Sequence, residues 1–176
     1  LQGVRFATVA AGVRHQGRTD VMLAVLDPGT SVAGVFTNSA TRSAPVLDCQ
    51  IKLGGAPDGP AAILVNSGNS NAFTGHYGQT SVQEITNAVA RITGVASERV
   101  FTASTGVIGE PLPHGRIVEK LAELNDALEL NRIEDAANAI MTTDTFAKGS
   151  CAQVELDGQT VTIAGIAKGS GMIAPD

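Results

Sequence analysis

The sequence predicts an α/β (α+β) chain, a layered sandwich of mixed sheets and helices. Three observations carry that expectation. Short valine- and alanine-rich runs have strand length, apolar stripes of helical period fall between them, and glycine, proline and aspartate punctuate the junctions. The 176 residues suit one domain, taken here as residues 1–176. At 43% hydrophobic and 16% charged, the chain can bury a sizeable core.

The elements follow in order. Residues 6–13, 21–26 and 31–37 are apolar runs of strand length. Asp27-Pro28-Gly29-Thr30 separates the last two, and proline presets φ there while glycine admits φ > 0. This predicts a hairpin over 21–37. Pro45-Val46-Leu47 begins a further extended segment, and 54–59 is a loop. Residues 61–65 (AAILV) read as a strand covered on both faces. They run into the polar, glycine-punctuated loop from Asn66 to Gly75. A helix is expected over 82–93. Ser81 and Glu84 form its capping box, Val82, Ile85, Val89 and Ile92 its buried face, and Gly94 its stop.

Residues 100–103 form a strand leading into Ser104-Thr105-Gly106-Val107-Ile108-Gly109. Pro113 starts a helix that buries Ile117, Leu121 and Leu124. Residues 133–141 form another, burying Ile133, Ala137 and Ile140. The turn at Asp157-Gly158 predicts a closing hairpin of 150–154 with 159–166. The chain then ends on a glycine-rich loop with nothing to cover that hairpin, so it reads as cut; Leu1 is no start methionine.

Charge and composition exclude several classes of partner. The formal net charge is −5, with no basic excess to neutralise nucleic-acid phosphates or an anionic membrane. With no tryptophan and 3% aromatic residues, base-stacking platforms are not expected. No run of about 20 apolar residues could span a bilayer, and no signal peptide is evident. A cytoplasmic protein is expected. Cys49 and Cys151 are read as free thiols. His15, His76 and His114 show no metal-ligand spacing, so no metal is expected. Asp20 with Arg18 reads as an ordinary exposed pair.

Four polar segments offer chemistry. Thr105 and Gly106 follow a strand, where a hydroxyl and a backbone N–H can donate to a developing oxyanion; a plain strand-to-loop turn uses the same residues. Lys168-Gly169-Ser170-Gly171 is glycine-rich but lacks the lysine spacing of a phosphate-binding P-loop; its lysine can bind a carboxylate or simply be solvated. Asn66 to Gly75 can hold a ligand or tie itself with Asx turns. Thr142-Thr143-Asp144-Thr145 can meet a small polar ligand or local carbonyls. Spacing identifies no nucleophile in the chain.

Taken in order, these segments resemble one family. They are Gly34-Val35-Phe36-Thr37, Asn66-Ser67-Gly68-Asn69-Ser70-Asn71-Ala72 with Thr74-Gly75, Ala103-Ser104-Thr105-Gly106-Val107-Ile108-Gly109, Ala139-Ile140-Met141-Thr142-Thr143-Asp144-Thr145, and the stretch from Gly165 through Lys168-Gly169-Ser170-Gly171 to Pro175. The set is similar to the ornithine acetyltransferases (glutamate N-acetyltransferases) of arginine biosynthesis. The resemblance implies a precursor that cuts itself before a threonine, which becomes the nucleophile at the head of a β chain. It implies acetyl transfer from N2-acetylornithine to glutamate by a ping-pong route, with acetyl-CoA accepted by some members and no cofactor.

By motif, Thr105 and Gly106 match the oxyanion-hole pair, and Thr145 and Lys168 match substrate-binding positions. The implied fold is a sandwich similar to N-terminal-nucleophile hydrolases. It is completed by the β chain, against which about 146–176 packs, in an α2β2 heterotetramer. The family's cut follows a Met-Ala pair, whereas this sequence stops at Asp176. Two other readings compete: a self-cleaving amidohydrolase or aminopeptidase on a related scaffold, and a non-catalytic small-molecule binding domain.

Overall fold

A computed structural model describes residues 1–53 and 58–170. Strand β2 (Val21–Leu26) is the centre of the molecule. Its six residues alternate between two apolar layers, and both of its edges are occupied. β1 (Val4–Val9) pairs antiparallel on one edge and β3 (Ala61–Asn69) antiparallel on the other. β4 (Val100–Val107) then joins β3 in parallel, giving the order β1-β2-β3-β4.

The period of two sorts the side chains. Val21, Leu23, Val25, Ala62, Leu64 and Val100 face one way. They pack against α2 (His76–Thr93) through Ile85, Ala88 and Val89, and against α3 (His114–Glu119) and α4 (Leu121–Asp126) through Ile117, Leu121 and Leu124. Phe6, Met22 and Ala24 face the other way, onto Ala136, Ala139 and Ile140 at α5 (Ile133–Ala139). Ala61 and Phe101 on that same face receive Cys49 from α1 (Ala44–Lys52). The result is helix, sheet and helix in layers, the α/β class that the sequence predicts.

The chain then leaves the core. β5 (Lys148–Leu156) and β6 (Gln159–Ala167) form a separate antiparallel hairpin, closed by Asp157-Gly158 as the turn chemistry predicts. Most of its residues are exposed.

Several elements differ from the sequence-based expectation. The hairpin expected over 21–37 is replaced by the β1–β2 pair. With β1 and β3 on its edges, β2 has no edge left for 31–37, which forms no strand and leaves Val35 fully exposed. Pro45 opens a helix and no extended segment, because its missing N–H costs nothing in the first turn. β3 and β4 run beyond their apolar cores to Asn69 and Val107, because each supplies the other's parallel ladder.

The α2 helix starts at His76, six residues before the expected position, and Ser81 is no cap. Ser81 is buried within the helix, with its hydroxyl 3.0 Å from His114 Nδ1. Gly94 does end the helix, in the left-handed conformation. Ile92 lies at the rim of the expected buried face and is partly exposed. The last helix stops at Ala139, with Ile140 as its cap. Of the expected loop 54–59, residues 54–57 lie outside the described residues, as does the motif from Gly171 to Pro175. Among the described residues no helix is long and apolar enough to cross a membrane.

Candidate active-site cleft

Parallel strands β3 and β4 end side by side, and loops at the carboxyl ends of such strands are where α/β folds hold ligands. At that end Gly68 pairs with Gly106, beside an irregularity in register at Asn69. Gly106 has φ +137°, and a Cβ there would fall onto the Gly68 carbonyl carbon and the Asn69 nitrogen. Gly106 lets the strands meet where a side chain would hold them apart, and a Cβ on Gly68 would instead meet Arg14. An open cleft of about 430 Å³ lies over this junction, lined by Gly68, Thr105, Gly106, Thr142, Thr143, Lys168, Arg14, His15 and Arg18 among others.

Two residues widely separated in sequence meet in that cleft. Lys168, just beyond β6, donates from Nζ to Thr105 Oγ1 at 2.9 Å. An ammonium group only donates, so the threonine oxygen accepts, and its own O–H proton is left to donate elsewhere. Gly106 follows directly on the cleft wall. Three of the residues singled out from sequence, Thr105, Gly106 and Lys168, are thus brought together. Thr145 is exposed, two residues beyond Thr143, and is absent from the cleft lining.

The segment that carries Lys168 is held by Asp144. Its side chain is fully buried, and its carboxylate accepts from Lys148 Nζ at 2.8 Å, from the Gly169 N–H at 2.6 Å and from the Thr142 N–H at 3.2 Å. The Lys148 hydrogen bond first, then the Gly169 N–H, hold this carboxyl well below the usual aspartate range. In the sequence Asp144 is one of four consecutive polar side chains, Thr142 to Thr145. Its signal was its place between a helix end and a strand start, where backbone N–H groups need acceptors.

The Asn66–Gly75 segment is tied chiefly to itself and its neighbours. Asn66 Nδ2 donates to the Asn69 carbonyl at 2.9 Å, and Ser104 Oγ donates to Asn66 Oδ1 at 2.6 Å. Asn69 Oδ1 accepts the Asn71 N–H at 2.7 Å, and Asn71 Nδ2 reaches the Gly78 carbonyl at 3.1 Å. All three asparagines are buried, and of this segment the cleft lining includes only Gly68. The network fixes the end of β3 and with it the floor of the cleft.

Asp20 is a correction. It is no exposed partner of Arg18: it is buried, and its carboxylate accepts the N–H groups of Ala11 at 2.7 Å and Val13 at 2.6 Å. Those backbone donors, in the connection between β1 and β2, have no strand partner, so a buried carboxylate satisfies them. Arg18 turns to the Met141 and Thr142 carbonyls, at 2.5 and 3.3 Å from Nη2. His15 lines the cleft, His76 begins α2 and His114 meets Ser81. Among the described residues no group of three or more His, Cys, Asp or Glu could hold a metal ion. Both cysteines are free. Burial pushes the Cys49 thiol up, which makes it a poor nucleophile.

A chain of this class, a layered α/β domain with a hydroxyl, a lysine and a glycine at the ends of parallel strands, has clear relatives. The chain belongs to the ArgJ family, whose model matches residues 5–176. It is 77% identical over 176 residues to the arginine biosynthesis bifunctional protein ArgJ of Ruegeria pomeroyi, and 50% identical to that of Gluconobacter oxydans. Both matches take in the whole of this chain, but it spans only 43% and 41% of those relatives' length. Two solved structures share the fold. The ArgJ of Bacillus halodurans superposes with a TM-score of 0.88 at 33% identity, over 99% of this chain and 91% of that one. Ornithine acetyltransferase of Mycobacterium tuberculosis, solved with ornithine, gives 0.84 at 32%, over 99% and 92%.

Proposed function

We propose that this chain is the α portion of a self-cleaving glutamate N-acetyltransferase, acting in arginine biosynthesis in the cytoplasm. The observation that carries the reading is the Lys168–Thr105 contact beside Gly106, in a cleft of an ArgJ-family chain. The nucleophile is a threonine at the head of a second chain. Its hydroxyl oxygen attacks the acetyl carbonyl of N2-acetylornithine. The Thr105 hydroxyl and the Gly106 N–H steady the negative charge that grows on the carbonyl oxygen. The C–N bond then breaks, ornithine leaves with the proton taken from the threonine, and an acetyl ester remains.

The α-amine of glutamate attacks that ester in the second half-reaction. The new amide forms, the ester bond breaks, and the proton returns to the threonine oxygen. Lys168, donating to Thr105 Oγ1, keeps that oxygen an acceptor from the lysine side and turns its proton toward the reacting group. Thr145 and Lys168 are proposed substrate contacts. No cofactor enters these steps, and acetyl-CoA would enter only as another acetyl donor. The second chain packs against about 146–176, in an α2β2 assembly. The exposure of both faces of the β5–β6 hairpin supports that placement.

Intact-mass spectrometry and N-terminal sequencing of the product of the full-length gene test self-cleavage. The expected result is two chains, the second starting with threonine. Incubation with N2-acetylornithine and glutamate is expected to give N-acetylglutamate. Acetate released in place of N-acetylglutamate would mark a hydrolase, and a single uncut chain without exchange would sink the acetyltransferase reading.

A further inference from the structure

The chain as a whole is acidic, yet the cleft is not. Lys and Arg number 12 against 17 Asp and Glu in the sequence. The described residues lining the cleft include three cations, Arg14, Arg18 and Lys168, beside His15, and no carboxylate. Such a local excess of cations, in a recess with protein walls, draws an anionic ligand.

The four groups are not equivalent. Lys168 is engaged with Thr105 at the reacting centre. Arg14 is half-exposed and paired with Glu110 at the rim. His15 is exposed. Arg18 is half-buried and anchored: a single nitrogen, Nη2, donates to two carbonyls, Met141 and Thr142, and Thr142 itself lines the cleft. Among the described residues Nε and Nη1 donate to no protein atom, so each keeps N–H capacity for a charge-assisted hydrogen bond to a carboxylate.

We propose that Arg18 binds the α-carboxylate of the amino-acid substrate and so selects an amino acid over its uncharged or amine-only analogue. The proposal rests on the acyl-transfer reading of the cleft. In that reading Lys168 and Thr105 serve the reacting acetyl group, and Arg18, held across the cleft by the chain after α5, serves the other end of the substrate. Arg18 is a specificity-determining residue here and takes no part in bond making.

The test compares L-ornithine with L-ornithinamide, and N2-acetylornithine with its α-carboxamide, on the mature protein made from the full-length gene. The natural protein is expected to prefer each carboxylate form by about 10- to 100-fold, the worth of one charge-assisted hydrogen-bonded pair. In Arg18→Met that preference is expected to fall toward unity, chiefly through KM, with kcat changed little. A preference ratio does not depend on the fraction of active protein, so partial misfolding leaves it readable. Where Arg18→Met turns over too slowly, titration calorimetry with the ornithine pair reads the same ratio from Kd. An Arg18→Met ratio equal to the natural protein's, or no preference in the natural protein, overturns the proposal. A natural protein that binds ornithine over ornithinamide but transfers no acetyl group would retain Arg18's role and remove the acetyltransferase reading alone.

Discussion

Thr105 and Gly106 sit on adjacent positions of one strand, yet they fail differently when changed. Thr105 is tolerant in structure, because it lines the cleft and, among the described residues, its hydroxyl hydrogen-bonds only with Lys168. Thr105→Ala should leave the melting temperature close to that of the natural protein and, in the proposed oxyanion role, lower kcat by about 10²–10³, the usual cost of one lost oxyanion donor. Thr105→Ser, which restores a hydroxyl, should recover much of that loss, and full activity in Thr105→Ala would remove the residue from the mechanism. Gly106 is intolerant in structure. Its φ of +137° and the Gly68 backbone against it leave no room for a Cβ. Backbone strain alone is worth about 1–3 kcal/mol, and separating the strands adds to it. Gly106→Ala should therefore lower the denaturant midpoint and activity together, and an unchanged midpoint would contradict the close approach.

Among the elements, the β5–β6 hairpin depends most on a single residue. Asp144 joins the end of α5, through Thr142, to both feet of the hairpin, through Lys148 and Gly169. Asp144→Asn removes the ionised acceptor, so hydrogen-exchange protection in β5 and β6 should fall by at least about tenfold while β2 and β3 hold theirs. The pH dependence has a definite sign. The folded-state value is lowered, so the contribution is complete above the ordinary aspartate pKa of about 3.9 and is lost as pH falls through the folded value below it. Hairpin protection should be flat from neutral pH to about pH 5 and fall in stronger acid. In Asp144→Asn that acid step should be missing.

The elements also mark what the sequence makes legible. AAILV, the Asp157-Gly158 turn and the Ile117, Leu121, Leu124 stripe are local patterns, and the structure keeps them. Residues 31–37 have strand composition too, but whether a strand forms depends on a free edge, which only the assembled sheet decides. Thr105 and Lys168 lie 63 residues apart, and no spacing rule connects them. The ordered motifs pointed to both, and the return of β6 along β5 makes the contact. Asp20 was obscured by its neighbour Arg18, because an i, i+2 opposite pair reads as a surface ion pair until the β1–β2 connection buries the carboxylate.

At the scale of the whole molecule, one helical layer covers its side of the sheet closely and the other does not. On the α5 side an open, mainly apolar groove of about 500 Å³ runs between the sheet and the hairpin, lined by Val4, Phe6, Met22, Ile63, Ile133 and Ile166 among others. Leu156 and Ile163 stand 55% and 61% exposed on the hairpin itself. Contiguous apolar surface of this kind marks an interaction site or an aggregation liability, because water is excluded from it on association. The chain also spans less than half the length of its curated relatives, which agrees with the proposal that a second chain covers it. Residues 1–176 produced alone should bind a hydrophobic dye such as ANS and self-associate in sedimentation as concentration rises. The product of the full-length gene should bind far less dye per chain. Dye binding should fall when Leu156 and Ile163 are changed to threonine, a β-branched residue suited to strands that carries less apolar area. A dye-silent, monodisperse monomer of residues 1–176 would mean that the exposed hairpin and groove are stable in water as they stand, and the second-chain interface would have to lie elsewhere.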